Sequence, residues 1–234
     1  MKYFEDKGLR STESYKDYQR YIEYNIFTSA GVMKLDILED LYNEVDKALS
    51  QGVGIEQFKR NIRYNLVKKG WLGQKEGEIL TTPWRANLIY RQNLQTSFMS
   101  GRYKQMVENS ASRPYWKYVG ILDDNTRKEH AKLQNYFKNK VLHYSHPFWK
   151  VYYPPNGFYC RCRVQAYTEA EAKQMGWKVY KIPVKKPKIV IDENFAYNPA
   201  LSHYRPDLKG YDKRLGDIIK QYIKELNKIA AAKS

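Results

Sequence analysis

Between Tyr115 and Val164 the chain gathers three of its four histidines, both cysteines, three of its nine prolines and two of its five tryptophans. No single regular element runs through such a stretch, because Pro154-Pro155-Asn156-Gly157 forces an irregular turn inside it. The flanks read as ordinary amphipathic helix. This segment is therefore the structural or functional centre, and the rest of the chain is read for what holds it.

Upstream, Tyr15, Tyr18, Ile22 and Ile26, then Leu35, Leu38, Leu41, Tyr42, Val45 and Leu49, recur at three- and four-residue intervals. That spacing predicts one or two helices over 14–50, broken near Thr28-Ser29-Ala30-Gly31. Gly52 and Gly54 end the second. Phe58, Ile62 and Leu66 predict a shorter helix over 55–69, stopped by Lys68-Lys69-Gly70. Trp71 to Gln74, with Gly77, reads as a loop. Thr82 and Pro83 then open the longest helix, threonine as cap and proline at the first helical position, and Gly101 is the one breaker before Asn109.

Within the central segment, Tyr115-Trp116-Lys117-Tyr118-Val119 has the composition and alternation of a strand. Residues 127–137 form a short helix that brings Arg127 and His130 near each other. Residues 158–166 form a strand carrying Cys160 and Cys162. Thr168 and Glu171 have capping-box spacing. An extended basic stretch follows Trp177, kept from a central strand by Pro183 and Pro187, and 212–232 is amphipathic. The expected fold class is α+β: N-terminal helices packed with a small antiparallel sheet of strands near 115–120, 158–166 and 177–182, and a C-terminal amphipathic helix.

A formal charge of +16 favours contact with polyanions, nucleic acid first. Arg91, Arg102, Lys178, Lys181, Lys185, Lys186 and Lys188 are the candidates for such contact. No apolar run is long enough to cross a membrane, and the charged N-terminus is unlike a signal peptide, so the expectation is a soluble protein kept in a cytoplasm. Two cysteines one residue apart do not make a disulfide framework, which leaves a reducing compartment or thiols that serve a metal.

Thiolate and imidazole are the usual ligands of zinc, and Cys160, Cys162 and His130, completed by His143, His146 or Asp124, form the metal candidate. Against it stands the spacing, since the usual knuckle is C-x2-C. The competing account makes both cysteines small buried residues beside Arg161, with Arg127 or Arg163 forked onto Asp123 or Asp124 to hold turn to strand. A Cys160–His130 dyad, or acid–base cleavage of RNA by His130, has no recognised signature around it. The chain is not read as an enzyme.

Taken together the motifs have a pattern. Asp123-x-x-Thr126-Arg127-x-x-His130, Pro147-Phe148-Trp149 and Tyr153-Pro154-Pro155-Asn156-Gly157-Phe158-x-Cys160-Arg161-Cys162-Arg163-Val164 follow one another in that order. Ahead of them lie Gly70-Trp71, Thr82-Pro83, Arg85, Ile89-Tyr90-Arg91, Asn93, Thr96, Gly101-Arg102 and Gln105. Behind them Asp192, Phe195, Tyr197, Asn198 and Pro199 recur, with Ala200 where a glycine is usual. This combination resembles the protein F family of minor head proteins of Mu-like bacteriophages. The resemblance covers roughly 49–208 and implies a head-morphogenesis domain over 51–208, between an N-terminal helical extension (1–50) and a C-terminal helix (209–234). It implies a minor head protein acting near the portal in head assembly and DNA packaging, with portal and capsid or scaffold proteins as partners and DNA bound without sequence preference. The implied places are the bacterial host cytoplasm during assembly and the virion head. The alternative is a zinc-dependent nucleic-acid-binding module or nuclease.

Overall fold

The computed structural model of the protein describes residues 34–180, 189–192 and 195–201, and ahead of them 4, 7–9, 26, 27, 29 and 32. Residues 14–25 of the helical stretch expected over 14–50, the candidate lysines Lys181, Lys185, Lys186 and Lys188, and the closing helix lie outside the described residues.

Two short strands, β1 (Gly8–Leu9) and β2 (Ile26–Phe27), pair in parallel. Ile26 thus belongs to a strand and not to the helical stripe predicted for it. Helix α1 (Leu35–Gln51) buries Ile37, Leu38, Leu41, Val45 and Ala48 and ends where Gly52 turns left-handed at φ 71°, a conformation open to a residue without Cβ. Against it packs α2 (Ile55–Lys68) through Phe58, Ile62 and Leu66. Glu44 enters the contact at 2% exposure, and its carboxylate accepts from Lys47 Nζ and Asn61 Nδ2, each at 2.6 Å. Its charge is buried already paired, which avoids the heavy cost of a bare one.

The stretch read as a loop through Gly77 contains a further helix, α3 (Lys75–Thr81). The true loop before it is pinned to α1: Trp71 Nε1 donates to Asp36 Oδ2 at 2.9 Å, and Lys69 pairs with Asp40 at 2.8 Å. Helix α4 (Pro83–Glu108) then runs 26 residues, about 39 Å at 1.5 Å per residue. Thr82 does not cap it. Its hydroxyl donates back to Ile79 O at 2.6 Å, and the proline alone marks the start. Length lets α4 serve two cores: Ala86 and Ile89 join α1 and α2, while Met99 and Met106 join the sheet.

That sheet has the order β5-β3-β4-β6, built from β3 (Tyr115–Val119), β4 (Lys140–His143), β5 (Arg163–Tyr167) and β6 (Lys178–Tyr180). Pairing of β3 with β4 and β5 is antiparallel, but β4 runs parallel to β6 with Lys140 opposite Lys178. The sheet is mixed, where an antiparallel one was expected. In β3 the first four residues are all buried, not alternately as a one-sided sheet requires. Trp116 and Tyr118 enter the main core, and Tyr115 packs with Val141 of β4 and with Ala172 of the short helix α6 (Glu169–Gln174). Lys117 lies 3.9 Å over the Trp177 ring and donates to the carbonyls of Phe137 and, at 3.2 Å, Lys138. Its stem is buried and its head satisfied, though burial pushes the ammonium down to about 8.

Helix α5 (Lys128–Tyr136) crosses β3. A 3-10 turn at Pro147–Lys150 seats Phe148 and Trp149 in an aromatic cluster with Trp116, Phe137 and Tyr153. Asn198 closes it from the far end of the chain, its Nδ2 donating to Trp149 O at 3.0 Å.

Candidate functional site

The site forms where the turn before α5 meets the loop before β5. In the turn, Asp123 Oδ1 accepts from Asn125 N at 3.1 Å and lies 2.9 Å from Thr126 Oγ1, whose hydroxyl also reaches Ile121 O. Short polar side chains closing on their own backbone make such turns stiff. The carboxylate then takes both arms of the Arg161 guanidinium, each at 2.6 Å. The arginine and carboxylate fork predicted for Arg127 or Arg163 exists, but Arg161 makes it. Arg127 instead donates to Phe158 O at 2.8 Å, while Asp124 and Arg163 are exposed.

Arg161, and after it Thr126, hold the Asp123 carboxyl down to about 2. A carboxylate whose folded value is depressed contributes stability above its ordinary range and loses it as pH falls toward the folded value. An NMR titration of the Asp123 side chain is therefore expected to centre near pH 2, and Arg161→Gln to move that midpoint up toward the ordinary carboxylate range. An unchanged midpoint in the variant would show that the turn, and not the fork, sets it.

Behind this exposed pair lies a buried group. His130, in the first turn of α5, and Cys160 and Cys162 are 5%, 5% and 3% exposed. Cys162 Sγ is 3.4 Å and Cys160 Sγ 3.8 Å from the same ring nitrogen, His130 Nδ1. On the other side of the ring, His130 Nε2 is 3.3 Å from Asn156 O. A carbonyl can only accept, so Nε2 carries a proton toward it, and in the neutral ring Nδ1 then presents its lone pair to the sulfurs. A hydrogen bond from Cys162 holds the Cys160 thiol well below its ordinary value, while Cys160 and burial push that of Cys162 up.

The cysteines are not on the strand predicted over 158–166, which begins only at Arg163. They sit on a loop that turns sharply at Tyr159, where φ is 56°, a left-handed conformation uncommon outside glycine. Residues two apart in an extended chain share a face, and both sulfurs point inward here while Arg161 between them points out. Asn156 is the residue the sequence reading missed: beyond its carbonyl contact to His130, its Oδ1 accepts from Tyr118 at 3.0 Å in the core. Its position in the double-proline turn signalled a bend, with nothing to announce a buried anchor.

The other candidates are dispersed. His143 bonds Ser145 Oγ at 2.8 Å, and His146 accepts from Phe148 N at 3.0 Å to cap the 3-10 turn, so neither completes a ligand set with the cysteines. Among the described residues, His130, Cys160 and Cys162 are the one group of three with metal-ligand chemistry at close range. Arg102 is half-buried and donates to Val164 O at 3.2 Å, which makes it a tie between α4 and β5 before it is a phosphate contact. Arg91 is exposed and lines an open cleft of about 1030 Å³ between α4 and the cysteine loop. Lys178 is exposed on β6 at the sheet edge. Trp149, Pro154 and Pro155 are all buried in the packing that carries the loop.

Comparison with known proteins follows the same segment. The family model for phage Mu protein F like proteins matches residues 39–165, from α1 into β5. The putative capsid assembly protein F of Escherichia phage Mu is 37% identical over 186 residues, 76% of this chain and 42% of that protein. The Mu-like prophage FluMu F protein of Haemophilus influenzae is 32% identical over 158 residues, 65% of this chain and 37% of that protein. The chain spans about two fifths of the length of these curated relatives. No solved structure matches it.

Proposed function

The chain belongs to the family of phage Mu protein F like proteins, and from that premise we propose that it is a minor head protein of a Mu-like phage or prophage that helps build the capsid. The observation that carries the reading is the coincidence of the family match with the locked centre. The matched residues end in β5, after the turn of Asp123, the histidine of α5 and the cysteine loop have been joined. These side chains act on one another and on backbone carbonyls, which suits a rigid module presented to neighbouring head proteins.

The role is one of assembly and not of bond-making. His130, Cys160 and Cys162 are at most 5% exposed, so a polymer substrate does not reach the atoms that a nuclease or thiol hydrolase would use. Among the described residues no helix is long and apolar enough to cross a membrane. Within this proposal the protein works near the portal, in the host cytoplasm while heads assemble and then in the virion head. Its charge of +16 gives it non-specific affinity for the packaged DNA, through exposed cations such as Arg91 and Lys178.

Co-expression with the portal and major capsid proteins of a Mu-like phage tests the assembly role. Tagged protein is expected to recover one or both, and deletion of its gene to lower the yield of DNA-filled heads. Recovery of neither partner, with normal heads in the deletion, would sink the proposal. Binding to unrelated duplex DNA is expected to weaken steeply with salt, and affinity that ignores salt would remove the DNA part alone.

A further inference from the structure

We propose that Cys160, Cys162 and His130 form a zinc(II) site that clips the start of α5 to the loop before β5. Two thiolates and an imidazole are a donor set that zinc takes in preference to harder cations. The distances agree with a shared metal. Zinc–sulfur and zinc–nitrogen bonds of about 2.3 and 2.05 Å at tetrahedral angles put a sulfur about 3.6 Å from a nitrogen, and the two separations here are 3.4 and 3.8 Å. All three donor atoms lie within 4.8 Å of one another and all three residues are buried.

A shared metal accounts for the approach of both sulfurs to one ring nitrogen. One ring nitrogen has one lone pair, which accepts one thiol proton, whereas two sulfurs converge on Nδ1. The opposite nitrogen is fixed by the Asn156 carbonyl at 3.3 Å, the kind of contact that sets the tautomer of a histidine bound to metal. Beside the three donors is a cavity of about 20 Å³, lined also by Asn125, Thr126 and Arg127. That is room for one water, which supplies the fourth position that the protein leaves open. Two thiolates neutralise the cation, so the buried cluster carries no net charge.

The experiment uses the full chain, produced with zinc in the medium and dialysed against metal-free buffer. Elemental analysis is expected to find one zinc per chain. Cys160→Ser, Cys162→Ser and His130→Asn are each expected to lose it, while His143→Asn keeps it. Chelation of the wild-type protein is expected to lower its thermal midpoint and to make both thiols reactive to alkylation in the folded state.

Should the ligand variants fail to fold, cobalt(II) exchanged into wild-type protein gives the answer alone. Thiolate-to-cobalt charge transfer with intense visible bands of four-coordinate cobalt supports the site. Wild-type protein with substoichiometric zinc and no such spectrum overturns it, as does a Cys160–Cys162 disulfide or zinc that persists in a folded Cys162→Ser variant.

Discussion

Replacing Trp149 with alanine is expected to cost about 3–5 kcal/mol of folding stability, the range for truncating a large aromatic in a packed core. Trp149 is 1% exposed. Its ring centroid is 5.6 Å from that of Trp116, 5.5 Å from Phe137 and 5.0 Å from Phe148, so no neighbour moves into the vacated volume without leaving another contact. The indole also donates from Nε1 to His143 O at 3.0 Å, a hydrogen bond that truncation removes. Denaturant unfolding should show a lower midpoint with the slope kept. Trp84, 59% exposed at the start of α4, is the control, and Trp84→Ala should shift stability by no more than about 0.5 kcal/mol. Comparable losses in the two variants would mean that the aromatic cluster is not the main support of the centre.

The aromatic cluster also shows what was readable in the chain. Helices α1, α2, α4 and α5 were legible because a helix is a local object: a stripe such as Leu38, Leu41, Val45 buries one face whatever it meets. The thickness of the cover on the sheet was not. Tyr115 to Tyr118 alternates in composition, yet both faces are buried, because α6 and Trp177 arrive from fifty residues away. The direction of β6 is equally non-local, being set by the crossing of α6 from β5 back past β4. At the site, residue types were legible and partners were not. Arg127, Arg161 and Arg163 are alike to Asp123 on paper. Alternation along the extended loop puts Cys160 and Cys162 on one side and Arg161 on the other, where it meets Asp123. The Cys-x-Cys spacing alone does not say that both sulfurs meet one histidine, because His130 comes from a helix thirty residues away.

The same substitution at two helical glycines should change stability in opposite directions. Gly101 lies in the exposed interior of α4, and a Cβ built there meets nothing within 4 Å. Gly101→Ala is expected to stabilise the protein by about 0.5–1 kcal/mol, because alanine gives up less backbone freedom on folding. Gly77 is in α3, where the propensity argument is identical, but its Cβ would stand 2.1 Å from Trp71 O and 2.9 Å from Trp71 C. Those are backbone atoms, and Trp71 is held by its bond to Asp36, so the clash is relieved only by moving the whole short helix off the loop. Overpacking of that kind costs about 1–3 kcal/mol or more, which exceeds the gain in propensity. Gly77→Ala should therefore lower the thermal midpoint while Gly101→Ala raises it. Equal shifts would place Gly77 in open space and return α3 to the loop that its glycine first suggested. Opposite shifts would establish that this glycine is needed for close approach between helix and chain, a requirement no periodicity reveals.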